Sequence, residues 1–190
     1  MKKIDDLIEK NEKFFEKNSI QPFTGKVEGQ IKGYLKDGMP EGTWQEFSQK
    51  GVIISESNYI EGRLNGKFFN YFDNGKVKEK GYLLNGSLEG ELKEFYKKGC
   101  LKLRENYKND KKNGLSESYY ENGQLKEKRY YKNGKLEGEY FYYYSNGKLW
   151  IKNQYKKGLL DGERLVFYNT GVLEKKEMYK NGFNLSKSFH

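Results

Sequence analysis

Glycine recurs in this chain on a fixed step of 24 residues, at Gly42, Gly66, Gly90, Gly114, Gly138 and Gly162. A second ladder, Gly51, Gly75, Gly99, Gly123, Gly147 and Gly171, keeps the same step nine residues behind the first. A third runs Gly38, Gly62, Gly86, Gly134, Gly158 and Gly182, with Asp110 standing in its remaining rung. So strict a period belongs to a tandem repeat, in which one small unit stacks on copies of itself. Such arrays more often bind things than transform them.

Other positions recur with the glycines. Five residues after the first ladder there is always an aromatic: Phe47, Tyr71, Phe95, Tyr119, Tyr143 and Phe167. Two residues after the second ladder comes an aliphatic, Ile53, Val77, Leu101, Leu125, Leu149 and Leu173, and eight after it Tyr59, Leu83, Tyr107, Tyr131, Tyr155 and Tyr179. The pairs Asn74-Gly75, Asn122-Gly123 and Asn146-Gly147 read as tight hairpin turns with positive φ, and Asn85-Gly86, Asn133-Gly134 and Asn181-Gly182 repeat that signal half a unit away. Each unit then holds two strands and two turns, with 68–72 and 76–80 as an example of paired strands. At about 4.8 Å per strand, roughly a dozen strands predict an elongated single-layer meander on the order of 60 Å long.

Composition agrees with an ordered but thin sheet. Apolar residues make up 35% and charged ones 33%, yet there are 17 Tyr and 12 Phe, too many rings for a disordered chain. The net charge is +9, with acids interspersed among the bases, so the chain does not read as a polybasic tail. A single cysteine, Cys100, rules out an intrachain disulfide and suits a reducing compartment. No apolar run is long enough for a spanning helix, and the start lacks the apolar stretch of a signal peptide; a cytoplasmic location is expected.

A single-layer sheet must bury one face and hide two edges. Ile4, Leu7, Ile8, Phe14 and Phe15 fall near helical spacing among charges, which predicts a short amphipathic N-terminal α-helix over 3–16. The chain thus divides into a cap, 1–18, and a repeat domain, 23–190, of about six full repeats with partial terminal units. The helix serves either to cap the first repeat or to bind a partner.

The unit from Tyr131 to Leu149, Tyr-Lys-Asn-Gly-Lys-Leu-Glu-Gly-Glu-Tyr-Phe-Tyr-Tyr-Tyr-Ser-Asn-Gly-Lys-Leu, resembles the MORN repeat. More closely it is similar to the bacterial variant found in YwqK-type antitoxins, and Phe23-Thr24-Gly25-Lys26-Val27 looks like the entry into such an array. The resemblance covers residues 23–189. Asp110, Ser116 and Arg164 depart from it, the last two standing where Trp44, Phe68 and Tyr140 supply rings. It implies an all-β array of antiparallel hairpins that acts as a scaffold, a dimerisation module or a binding surface, at phospholipid membranes in some members and against a cognate toxin in others. No catalytic residue belongs to the repeat.

Alternation along a strand predicts that residues one, three and five beyond the second-ladder glycine share a face. That face would carry Lys76, Lys78 and Lys80, then Lys102 and Arg104, then Lys126 and Lys128, then Lys148, Trp150 and Lys152. This basic stripe is either a solvated face that discourages aggregation or a landing strip for an acidic protein or anionic lipid. Nucleic acid is disfavoured, because Trp150 alone is a thin stacking platform. An acidic protein partner, such as a cognate toxin, is the best functional use of the stripe; the alternative is a structural scaffold that self-associates, for example as a homodimer, or attaches other proteins at an anionic membrane surface.

Catalytic chemistry finds little material. The only histidine, His190, ends the chain, which removes histidine triads and sites of paired histidines. Cys100 has no base near it in sequence. Glu41, Asn65, Glu89, Asn113, Glu137 and Asp161 precede the first glycine ladder, where such residues are turn chemistry before they are a carboxylate array. No phosphate-binding glycine loop occurs, and no metal or cofactor is expected.

Overall fold

The computed structural model describes residues 2–186. It forms two compact units, Met1–Glu89 with Lys97–Gly99, and Gly90–Tyr96 with Cys100–His190. Apart from a 3-10 turn at Ile4–Asp6, the described elements are strands, and successive long strands pair antiparallel.

Each repeat is a hairpin of two long strands. Gly138–Tyr143 pairs with Leu149–Lys156, which pairs onward with Gly162–Phe167 of the next repeat through Ile151↔Val166 and Lys152↔Leu165. The glycine ladders do three different jobs. Third-ladder glycines close true two-residue turns: Asn133 and Gly134 both have positive φ, 50° and 80°, as the primed turn types demand. Second-ladder glycines differ from the expected geometry. Asn74, Asn122 and Asn146 keep negative φ and only the glycine is left-handed, so these are three-residue loops, the commoner partner of a type I turn. First-ladder glycines mark no turn at all. Gly138 (φ 80°) interrupts the strand that starts at Lys135–Leu136, and the Glu137 N–H then reaches Tyr130 O at 2.9 Å.

The loop asparagines are used twice. Asn122 Oδ1 accepts from Gln124 N–H at 3.0 Å, and its Nδ2 donates to Ser145 O of the next repeat, also at 3.0 Å. Tyrosines make the same step: Tyr96 Oη donates to Tyr119 O (2.8 Å), Tyr120 to Tyr143 O (2.7 Å) and Tyr144 to Phe167 O (2.9 Å).

The expected N-terminal helix is not formed. Leu7–Lys10 and Lys13–Glu16 make an antiparallel hairpin around Asn11 and Glu12, both at positive φ. An isolated helix of this length is marginal in water. In the hairpin, Phe14 N–H donates to Gly38 O at 2.9 Å while Phe14 O accepts from Phe23 N–H at 2.8 Å, so the segment gains array hydrogen bonds that a helix would forgo. Leu7 then joins Val27 and Leu35 in the buried core of the first unit, with Ile4, Phe14, Phe23 and Trp44 packed against it. The segment covers the start of the array, but as strands.

Gly33 lets that core close. A Cβ there would overlap the Trp44 indole, which also meets Tyr59 edge-on at 6.2 Å. Gly33→Ala should lower stability by about 2 kcal/mol, the ordinary cost of overpacking. In a Trp44→Ala background the same change should cost under about 1 kcal/mol, because the clash is gone. Equal losses in both backgrounds, read by chemical denaturation, would show that the indole is not the obstacle.

Candidate binding faces and edge

The lysine stripe depends on strict alternation, and each hairpin breaks it. Tyr143 pairs with Leu149 and its neighbour Tyr142 with Ile151, which leaves Trp150 as the extra residue of a β-bulge. The same shift leaves Lys78, Lys102 and Lys126 as extra residues. Neighbours on the regular strand point to opposite faces and paired residues share one. Leu149 and Ile151 therefore lie on opposite faces although they are two apart.

Side-chain contacts follow this division. On one face Trp150 stacks on Tyr144 at 5.0 Å and meets Tyr142 edge-on at 5.3 Å. Lys126 sits 5.5 Å over the Tyr120 ring, and Lys102 pairs with Glu94 at 2.9 Å. On the other face Lys152 lies 5.5 Å over Phe141, which stacks on Tyr143, and Arg104 pairs with Glu117. The expected single stripe is thus corrected to two columns in the second unit: Lys102, Lys126 and Trp150 on one face, Arg104, Lys128 and Lys152 on the other. Lys76, Lys78 and Lys80 belong to the first unit. Lys76 and Lys148 serve the loops, donating through Nζ to Lys98 O at 2.7 Å and Thr170 O at 2.8 Å.

Nor is either column an uncompensated charge. On the Arg104 face, Lys93 pairs with Glu91 (2.5 Å), Lys152 with Glu139 (2.8 Å) and Lys176 with Glu163 (2.6 Å). Glu117, paired across the strands with both Arg104 and Lys128, also accepts from Tyr119 Oη at 2.9 Å. Burial alone would raise its pKa, but Arg104 and Tyr119 outweigh that and hold it below the usual carboxylate range.

The opposite face carries buried charge. Glu105 is 2% exposed and opposes Leu92 on one side and Ser116 on the other. Its oxygens accept from Lys112 Nζ (2.6 Å), Tyr107 Oη (2.7 Å) and Ser116 Oγ (2.9 Å), with Arg129 at 3.7 Å. Burial pushes its pKa up and these partners pull it down further, leaving it net lowered. Two of the departures from the repeat pattern, Ser116 and Arg164, fall in this row of cross-strand pairs. Ser116 makes room opposite Arg129, and Arg164 opposes Glu177, where other repeats set Trp44 against Ser57 or Phe68 against Gly81. In these pairs a large residue faces a small one, or a charge faces its opposite.

Five of the residues before the first glycine ladder hold turns of the array. Glu41, Asn113, Glu137 and Asp161 each accept a backbone N–H from a turn 20 residues on, at Glu61 (2.9 Å), Asn133 (3.1 Å), Lys157 (2.7 Å) and Asn181 (3.2 Å). Asn65 donates to Asn85 Oδ1 at 3.0 Å. Cys100 Sγ contacts Glu121 O at 3.4 Å. Among the described residues no three His, Cys, Asp or Glu gather as a metal site, and no helix is long and apolar enough to cross a membrane. His190 lies outside the described residues.

Six segments, 40–61, 64–85, 88–109, 112–133, 136–157 and 160–181, match the MORN repeat variant, more than half of the chain. The chain belongs to the MORN repeat variant family. The match starts recur every 24 residues, in step with the glycine ladders. MORN repeats are generally binding modules for protein or membrane lipid. A comparison with curated proteins finds no match.

Sequence reasoning passed over a different set of lysines in this MORN array. The third-ladder turns of the second unit carry Lys108, Lys111, Lys132, Lys135, Lys156, Lys157 and Lys180, all exposed. Four of them, Lys108, Lys132, Lys156 and Lys180, keep the 24-residue step, which was the available signal.

Glu177 gives the array a measurable acid response. Lys175 at 2.8 Å, then Arg164 at 2.7 Å and Asn184 at 2.8 Å, hold its carboxyl down to about 2 against the opposing effect of burial. A carboxyl that ionises more readily folded than unfolded favours the fold above its unfolded pKa, near 4.3. That contribution, about 3 kcal/mol, is lost as pH falls from roughly 5 towards 2. Wild-type stability should drop more steeply across that window than that of Glu177→Gln; equal slopes would contradict the assignment.

Proposed function

We propose that the chain is a non-enzymatic, cytoplasmic protein-binding module whose partner presents an acidic surface, and that in its finest form it neutralises a cognate toxin. The observation that carries the binding reading is how the ionisable groups are distributed. The carboxylates and amides that could have formed a reactive site are spent on turn N–H groups and on neighbouring lysines. Exposed lysines remain at the turns of the second unit. The neutralising role rests on the likeness to YwqK-type antitoxins.

Self-association as a scaffold is the second reading, favoured by the last long strand, Leu173–Lys180. Leu173 at its start is 48% exposed and Val172 just before it 62%, whereas Leu149, the equivalent of Leu173 one repeat earlier, is half-buried. The decisive experiment co-expresses the chain with the product of a neighbouring toxic gene. Growth should be restored and the two should co-elute as one complex at moderate salt. Persistent growth arrest would end the neutralising reading, and a dimer in light scattering without that partner would favour the scaffold.

A further inference from the structure

We infer that the lysine-bearing turn edge of the second unit is the docking surface, and that it takes an extended acidic polypeptide segment with a carboxylate at every third residue. The inference rests on the protein-binding reading above and names where, and by what chemistry, the partner is held.

Four consecutive turns build this edge. They run Lys108-Asn109-Asp110-Lys111, Lys132-Asn133-Gly134-Lys135, Lys156-Lys157-Gly158-Leu159 and Lys180-Asn181-Gly182-Phe183. The last three are fixed to the repeats before them: Gly134 N–H donates to Lys112 O, Gly158 to Leu136 O and Gly182 to Leu160 O, each at 2.8 Å. The lysines therefore ride on a backbone column that the fold itself orders.

Most of the charge on this column is left unpaired by the fold. Lys108 pairs directly across its turn with Lys111, and Lys132 with Lys135, an arrangement that is unfavourable between like charges. Lys180 pairs with Asp161 at 3.0 Å, and Lys156 lies within the field of the same carboxylate. Lys108, Lys111, Lys132, Lys135 and Lys157 make no ion pair with any described residue, unlike Lys102, Arg104 and Lys152 on the faces. The first unit lacks this column. Its corresponding turns read Lys36-Asp37-Gly38-Met39, Ile60-Glu61-Gly62-Arg63 and Leu84-Asn85-Gly86-Ser87.

Spacing selects the partner. Each repeat contributes two strands, so successive turns stand about 10 Å apart. Three residues of extended chain span roughly 10 Å, and one turn of polyproline II spans about 9 Å. In polyproline II, with three residues per turn, a carboxylate at every third residue would meet one lysine turn after another on the same side, whereas in a β-strand such residues would alternate between faces. Phosphates along a nucleic-acid strand come about every 3.4 Å, three times too densely, and the column offers no series of rings for bases to stack on. Leu159 (51% exposed) and Phe183 (75% exposed) end the column in place of lysine, giving an apolar anchor that fixes the direction of the bound segment.

The test titrates the full chain with a 12-residue synthetic peptide bearing Glu at every third position and a terminal Leu. A second peptide of the same composition carries its four Glu in one block, and vesicles of phosphatidylserine and phosphatidylcholine form a third arm. The spaced peptide should bind at least fivefold more tightly than the blocked one. The triple variant Lys108→Glu, Lys132→Glu and Lys156→Glu should weaken it at least tenfold, whereas Lys128→Glu with Lys152→Glu should change it less than twofold. Amide shift perturbations in the wild type, which need no variant to fold, should concentrate at 108–111, 132–135, 156–159 and 180–183. Equal binding of both peptides, an equal effect of the Lys128 and Lys152 changes, or vesicle binding without peptide binding would each overturn the inference. If the co-expressed partner is still held by the edge triple variant, the edge alone is wrong. If no partner is held even by the wild type, the reading beneath it fails.

Discussion

Hydrogen bonds that reach from one repeat to the next hold this array together. The apolar core is small: Leu7, Val27, Leu35 and Leu92 are the buried hydrophobic residues among those described. A sheet with so little buried apolar surface cannot rely on the hydrophobic effect alone. It is tied instead at both ends of each hairpin. Loop asparagines and tyrosines donate to carbonyls 23 residues on, while turn glycines donate back to the preceding repeat. Polar groups before the first glycine ladder accept turn N–H groups 20 residues on. Nearest-neighbour coupling of this kind is how a repeat array gains stability without a globular core.

The same geometry decides what each charge is for. The bulge in every hairpin resets alternation and sends Lys102, Lys126 and Trp150 to one face, Arg104, Lys128 and Lys152 to the other. On both faces the bases meet carboxylates or rings, so they contribute to the sheet and cancel locally. Glu105, Glu117 and Glu177 are buried only because such partners surround them, and removing one partner would leave a buried charge exposed to its full desolvation cost. Apart from Lys180, which pairs with Asp161, the turn lysines of the second unit are outside this system of pairs.

The period, the hairpin and the β class were legible in the chain because they need only the recurrence of Gly, Asn-Gly and aromatic positions. Register was not. The bulge residue is Ile54, Lys78, Lys102, Lys126, Trp150 or Glu174 in successive repeats, without common polarity, since an extra residue belongs to no ladder. The N-terminal segment misled for a related reason. Leu7 and Phe14 suit a helical stripe as well as a strand, and what favoured the strand was the backbone of Gly38 and Phe23, distant in sequence. Asn11-Glu12, with both residues at positive φ, gave no turn signal comparable to Asn-Gly. Lysines at the turns were visible, but which of them lack an ion-pair partner is a property of the folded chain.

Amide hydrogen exchange at the turn glycines tests repeat-to-repeat coupling most directly. An ordinary exposed two-residue turn protects such amides poorly, because the turn leaves them to water. Gly134, Gly158 and Gly182 donate to Lys112 O, Leu136 O and Leu160 O, so they should exchange as slowly as central-strand amides such as that of Tyr140. Exchange at the rate of a free turn amide, with the strands still protected, would contradict the account.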